Sequence, residues 1–199
     1  MERAEQILRY WFGDGSDGWS LPADRQPLWF RGGPQVDEEI RLRFGPDVEV
    51  AVDGGFADWK ATPRGRLALV ILLDQFTRNV HRGTPGAFAG DRLALPLAVE
   101  ALEKGIDREL RPVERPFLYL PLEHAEDSKM QALSVDAFRR LAEEAPAVVR
   151  PAYDVFLDYA IQHQVIVDRF GRFPPRNAIL GRETTPEEAE FLKQPGSSF

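Results

Sequence analysis

The chain predicts an all-α fold in a single domain, and three observations carry that prediction. Apolar residues recur at helical spacing through most of the 199 residues. Helix start and stop residues bracket those stretches. No segment alternates apolar and polar side chains between hairpin turns. The length suits one domain with a real core. Fractions of 43% hydrophobic and 11% aromatic residues are those of a folded globular chain.

From the N-terminus, Ala4 to Phe12 carries Ile7, Leu8, Trp11 and Phe12 at helical spacing. Gly13 to Ser20 is a Gly/Asp/Ser loop; Trp29-Phe30 and a second loop at Gly32-Gly33-Pro34 follow. Asp37 to Phe44 predicts a helix with an acidic first turn. Gly45-Pro46 is expected to break it, with a further helix over Asp47 to Val52. Thr62-Pro63 supplies a capping hydroxyl and a first-turn proline to a helix reaching about Val80. Asp91 to Lys104 is the next, ended by Gly105, and Pro96 inside it predicts a kink or a later start. Pro112 to Leu122 is short and proline-flanked, and Ser134 is expected to cap a helix through Glu144. Val148 to Phe170 is the longest helix, stopped by Gly171. Thr185-Pro186-Glu187-Glu188 forms a capping box that opens a last helix through Lys193. The domain is expected over residues 1–194, with 195–199 as a frayed tail.

A net charge of −7 opposes general binding to nucleic acid or to an anionic membrane, since both require a basic surface. The chain has no cysteine, which removes disulfides, thiolate metal sites and a cysteine nucleophile. The N-terminal stretch is amphipathic and lacks an apolar signal core. The longest apolar run, Leu67 to Leu73, is too short to span a bilayer. A soluble cytoplasmic protein is expected.

Three polar-aromatic blocks stand out. They are Leu73-Asp74-Gln75-Phe76-Thr77-Arg78-Asn79, then Leu120-Pro121-Leu122-Glu123-His124-Ala125-Glu126-Asp127, then Arg169-Phe170-Gly171-Arg172-Phe173-Pro174-Pro175-Arg176-Asn177. On a helical projection, Asp74, Arg78, His81 and Arg82 fall on an arc filled upstream by Leu67, Val70 and Ile71. That puts charge at the lip of a cavity or over a polar partner. Asp74 and Arg78 could equally be an ordinary i,i+4 surface pair. His163 falls among Ala152, Phe156, Tyr159 and Phe170, opposite the wet stripe of its helix. Burial there favours a neutral ring, able to accept a proton or bind a metal; a core histidine bonded to a carbonyl is the plainer alternative. Glu123 and Asp127 stand one turn apart beside His124 and Glu126. They can split into acid and base, share a divalent metal, or pair with Arg169, Arg172, Arg176 and Arg182 in an internal network. No phosphate loop, dinucleotide fingerprint, paired-histidine zinc helix or nucleophile elbow is present.

The stretch from Asp74 to Pro85 and its continuation Ala87-Phe88-Ala89-Gly90-Asp91 resemble a bacterial family known as domain of unknown function 924. Leu118 to Asp127 is similar to the second motif of that family and Arg169 to Arg182 to the third. The Thr185 capping box and Phe191-Leu192 close the pattern. The resemblance implies an all-helical fold related to tetratricopeptide-like arrays of antiparallel helix pairs, and it implies no activity. His81 and Pro175 depart from the family pattern, which moves the candidate ligand-binding set to Arg78, Glu123, His124, Asp127, His163, Arg169, Arg172 and Asn177. No metal or cofactor is assigned, and no motif specifies an oligomeric state.

Three functions fit these residues. The first is a binding module whose concave face takes a small anionic ligand or an acidic peptide end. The second is a hydrolase using His124 or His163 with Glu123 and Asp127, with or without a divalent metal. The third is an interaction scaffold with purely structural blocks, in which Trp19 and Trp29 either anchor a partner or pack over the core as a lid.

Overall fold

The computed structural model describes residues 2–15 and 18–197; part of the expected loop at 13–20 and the end of the expected tail lie outside that range. Among the described residues eleven α-helices follow one another: α1 (Glu2–Phe12), α2 (Gln26–Phe30), α3 (Pro34–Val52), α4 (Pro63–Val70), α5 (Thr77–Val80), α6 (Asp91–Glu103), α7 (Arg115–Glu123), α8 (Ser128–Glu144), α9 (Arg150–Phe170), α10 (Asn177–Leu180) and α11 (Pro186–Phe191). Among the described residues there is no strand. α8 packs along α9 and α7 along α8, while α1 lies on α4, which is not its neighbour in sequence.

The core forms where α1, α3, α4 and α7 meet. Trp11 and Phe12 of α1 stand edge-on to Phe117 of α7, and Tyr10, Phe44 and Phe76 interlock beside them. Trp29 lies 4.7 Å from the Phe117 ring and donates from Nε1 to the Trp11 carbonyl at 3.0 Å. Trp19 stands edge-on to Tyr153. Both tryptophans therefore pack over the core. A smaller apolar cluster of Ile166, Val167 and Phe173, flanked by Phe170 and Phe191, closes the C-terminal end.

Local chemistry explains most helix boundaries. Thr62 caps α4 by accepting from Gly65 N at 3.1 Å, and Thr185 and Glu188 complete the capping box of α11. Gly171 ends α9 in the left-handed conformation, φ 69°.

Several boundaries differ from expectation: α3 starts at Pro34 and not Asp37, α7 at Arg115 and not Pro112, and α2 and α10 were not among the expected helices. Gly45-Pro46 does not break α3, which runs through it. The carbonyl that Pro46 cannot satisfy belongs to Leu42, an exposed residue (71%), so water can take it. Ser134 does not cap α8. Asp127 does, with Oδ1 accepting from Lys129 N at 2.8 Å and Met130 N at 3.0 Å, and Ser134 is buried in mid-helix. The described part of the tail is folded back: Ser197 is buried and its hydroxyl donates to the Leu192 carbonyl at 3.1 Å.

One feature positions the site. Between α4 and α5 the helix widens to a π-helix over Ile71–Phe76. The Thr77 N–H reaches back five residues to the Leu72 carbonyl, which also accepts from the Thr77 hydroxyl at 2.8 Å. The backbone of Gly90 lies directly against the Leu73 carbonyl of this segment. The contact brings Asp91, the first residue of α6, beside Asp74 and Arg78.

Candidate functional site

Asp74 projects from the π-helical segment and is completely buried. Three groups hold its carboxylate. The Nδ1 of His124, just past the end of α7, lies 2.7 Å from Oδ1. Gln75 Nε2 donates to Oδ2 at 2.6 Å. Arg78 Nη1 stands 3.1 Å from Oδ1 and donates to the Asp74 carbonyl at 2.8 Å. Burial alone would raise the Asp74 carboxyl, but Arg78 and His124 outweigh it and hold it well below the usual carboxylate range. The charged carboxylate thus accepts from Nδ1–H of His124. Burial keeps that ring neutral, so its lone pair sits on Nε2.

A second imidazole stands alongside, with ring centroids 6.2 Å apart. His163 of α9 is buried, and its Nδ1 lies 2.8 Å from the Tyr159 carbonyl. A carbonyl only accepts, so Nδ1 carries the proton here too. Burial pushes the ring down to about 3. Glu123 Oε1 is 3.4 Å from the same Nδ1. Burial and the Asp74 charge raise the Glu123 carboxyl to about 8, which makes it a neutral acid at pH 7.

The third block closes over these groups. Arg176 donates from Nη2 to the His124 carbonyl at 2.9 Å. Its guanidinium is sandwiched between Phe88 and Phe173, 4.7 Å from each ring centre. Arg78 grips Asp91 with two hydrogen bonds of 2.8 and 3.1 Å, and Arg176 reaches the same carboxylate only at 3.6 Å. Burial and the like charge of Arg78 lower Arg176 to about 10. Glu126 ties the block down: it accepts two hydrogen bonds from Arg182, at 2.6 and 2.9 Å, and one from Phe173 N at 2.8 Å. The cluster reaches solvent through its rim. The side chains of Arg176, His124, Arg78 and Asp91 remain 15, 17, 19 and 28% exposed.

The model of a family described as bacterial protein of unknown function, DUF924, matches residues 7–196. The chain belongs to the DUF924 family. A solved structure of a protein of unknown function from Agrobacterium tumefaciens is similar to it at 36% identity, with a TM-score of 0.79, over 96% of this chain and 97% of that one. Comparison with curated proteins returned no match.

In this DUF924 chain, Arg78, Glu123, His124 and His163 of the expected set come together. The other four stand elsewhere. Asp127 is exposed and caps α8. Arg169 lies over the Phe170 ring and pairs with Glu187 in solvent. Arg172 forks Glu188 at 2.6 and 2.8 Å, and Asn177 donates to the same carboxylate at 3.2 Å, so these two brace α10 and α11. Asp74, Phe88, Asp91, Phe173 and Arg176 belong to the cluster and were not in that set. The Phe-Gly-Arg-Phe-Pro-Pro-Arg spacing of the third block is compatible with either arginine entering. The turn after Gly171 selects Arg176.

The raised carboxyl of Glu123 has a definite pH signature. Its folded value, about 8, lies above the ordinary 4.5. Between these values the native state holds a proton that the unfolded chain releases. The stability this group contributes is therefore full below about pH 4.5 and is lost as pH rises through about 8, at up to about 1.4 kcal/mol per pH unit. The two histidines, lowered by burial, work in the opposite sense through about pH 6.5. Urea denaturation of Glu123→Gln and the parent from pH 5 to 9 separates the terms. The variant is expected to lose less stability on going alkaline; parallel curves would refute a protonated Glu123.

Proposed function

We propose that the DUF924 cluster binds a small carboxylate or phosphate anion, or the acidic end of a peptide, between Arg176 and Arg78, beside His124. The observation that carries the reading is the position of Arg176. Two aromatic rings and a carbonyl fix its guanidinium, while its carboxylate neighbour Asp91 is already gripped by Arg78. A guanidinium held in place with its charge weakly matched supports recognition of a planar or tetrahedral anion. The partly exposed rim supports entry from solvent.

Thermal shift with acetate, oxalate and inorganic phosphate tests this. One of these anions is expected to raise Tm with saturation in the parent, and Arg176→Gln is expected to remove the shift. Arg172→Ala, which removes the bracing of Glu188 and of the Glu183 carbonyl, is expected to lower Tm and keep the response. No saturable shift with any anion, or a shift that survives Arg176→Gln, sinks the reading.

A second reading, hydrolysis without a metal, is favoured by the Asp74–His124 pair. The carboxylate fixes the ring with its basic nitrogen free of the proton, as a general base requires. It demands turnover of an anionic ester by the parent that His124→Gln abolishes while the fold persists.

A further inference from the structure

A second basic recess lies apart from this cluster, with Tyr10 and Phe44 of the core aromatic group in its wall. It is a cavity of about 520 Å³ between α1, the segment that follows it and α3. Arg3, Arg9, Arg25 and Arg43 line it, with Tyr10 and Phe44 as its aromatic wall and Asp14 as its acid. Its size is that of an ordinary small-molecule site. Four guanidiniums around one cavity stand out in a chain of net charge −7.

The four arginines are held in different ways. Arg3 is locked: it grips Asp47 and also donates to the Arg43 carbonyl at 2.7 Å. The others have loose partners. Arg9 pairs with Asp14, Arg43 with Glu39 and Arg25 with Asp24, and these carboxylates are 85, 50 and 70% exposed. Exposed pairs contribute little and exchange readily for a better acceptor. Arg25 lines the cavity and donates to the Tyr10 carbonyl at 3.2 Å, and its buried Nε lies 3.1 Å from Asp24 Oδ2 without forming a hydrogen bond of good geometry among the described residues. Arg43 lies over the Tyr10 ring at 4.6 Å. Tyr10 is more than nine-tenths buried, and its hydroxyl faces Glu39, the same carboxylate that Arg43 holds. A buried donor whose acceptor is exposed or poorly aligned gains from a better one.

From this we infer that the recess is a binding site for a compact polyanion bearing two or more phosphate or carboxylate groups. Arg25 and Arg43 would leave their exposed partners to fork the anion, Arg9 would screen the mouth, and the Tyr10 hydroxyl would supply a neutral donor. The site is independent of Arg176.

Isothermal titration calorimetry with pyrophosphate and, separately, citrate tests the inference and distinguishes the two anion sources. Saturable binding of one molecule per chain is expected for at least one of them, weakening as KCl is raised. Losing one charge-assisted contact in Arg25→Gln or Arg43→Gln is expected to weaken it about tenfold or more. Arg176→Gln is expected to bind as the parent does. Tyr10→Phe is expected to bind more weakly with its Tm retained. Absence of heat with both probes overturns the inference. So does binding indifferent to Arg25 and Arg43, or binding lost in Arg176→Gln.

Discussion

Replacing Asp74 with alanine is expected to cost about 3–5 kcal/mol of stability, the range for removing one partner of a buried ionic contact. Asp74 is fully buried, and its removal leaves three donors stranded at once: His124 Nδ1–H, the Gln75 amide and one side of Arg78. Arg78 keeps Asp91, so its charge stays partly compensated and the chain should still fold. Asp74→Asn fits the space and offers His124 an acceptor, but its amide then faces donors. An intermediate loss is expected. The sign with pH follows from the lowered carboxyl. Stability from Asp74 is present above its ordinary pKa of about 4 and is lost as pH falls through the lower folded value. Guanidinium denaturation at pH 7 measures the loss, and a cost under about 1 kcal/mol would show that the contact is as weak as a surface pair.

The second large effect is expected from Gly90→Ala, a substitution that is mild at most positions. The glycine is needed for space and not for its dihedrals, which are an ordinary φ −82°, ψ −16°. A Cβ there would overlap the Leu73 carbonyl oxygen and lie 2.8 and 2.9 Å from the Leu73 carbonyl carbon and Cα. All three are backbone atoms of the π-helical segment, so no rotamer change relieves the clash. Either the π turn or the start of α6 must move, and both carry residues of the cluster. A loss of about 3 kcal/mol or more is expected, at the upper end of overpacking costs. Gly83→Ala is the control. Its φ is +77° with nothing within 4 Å, so the cost should be the left-handed strain alone, about 1 kcal/mol. Equal losses for the two variants would remove the argument that Gly90 seats the π turn.

The helices were legible because their causes are local. Thr62, Thr185 and Gly171 act within a turn of where they stand, and the all-round burial of Leu67 to Leu73 follows from an unbroken apolar run. Two boundaries departed from the expected ones for different reasons. Pro46 is tolerated because Leu42 faces water, whereas α8 begins earlier than expected by an equally local rule, Asp127 capping it and leaving Ser134 in mid-helix. The candidate site was half legible. Arg78, Glu123, His124 and His163 were named from residue type and projection. Arg169 and Arg172 sit in the same block as Arg176, and nothing in the block itself ranks the three.

By itself, then, the sequence determined an all-helical chain, most of its helix boundaries, the family and the three blocks that matter. Tertiary structure alone decided which members of those blocks meet. A helix projection assumes about 100° per residue, and the wider π turn at Ile71–Phe76 re-aims every side chain within it. That turn sits against the Gly90 backbone, and His124, Asp91 and Arg176 come together around Asp74 and Arg78 only once α6, α7 and the segment after α9 have packed. Side-chain charges and donors are fixed by the chain, but their pairing depends on distance, and distance between remote segments exists only in the folded state.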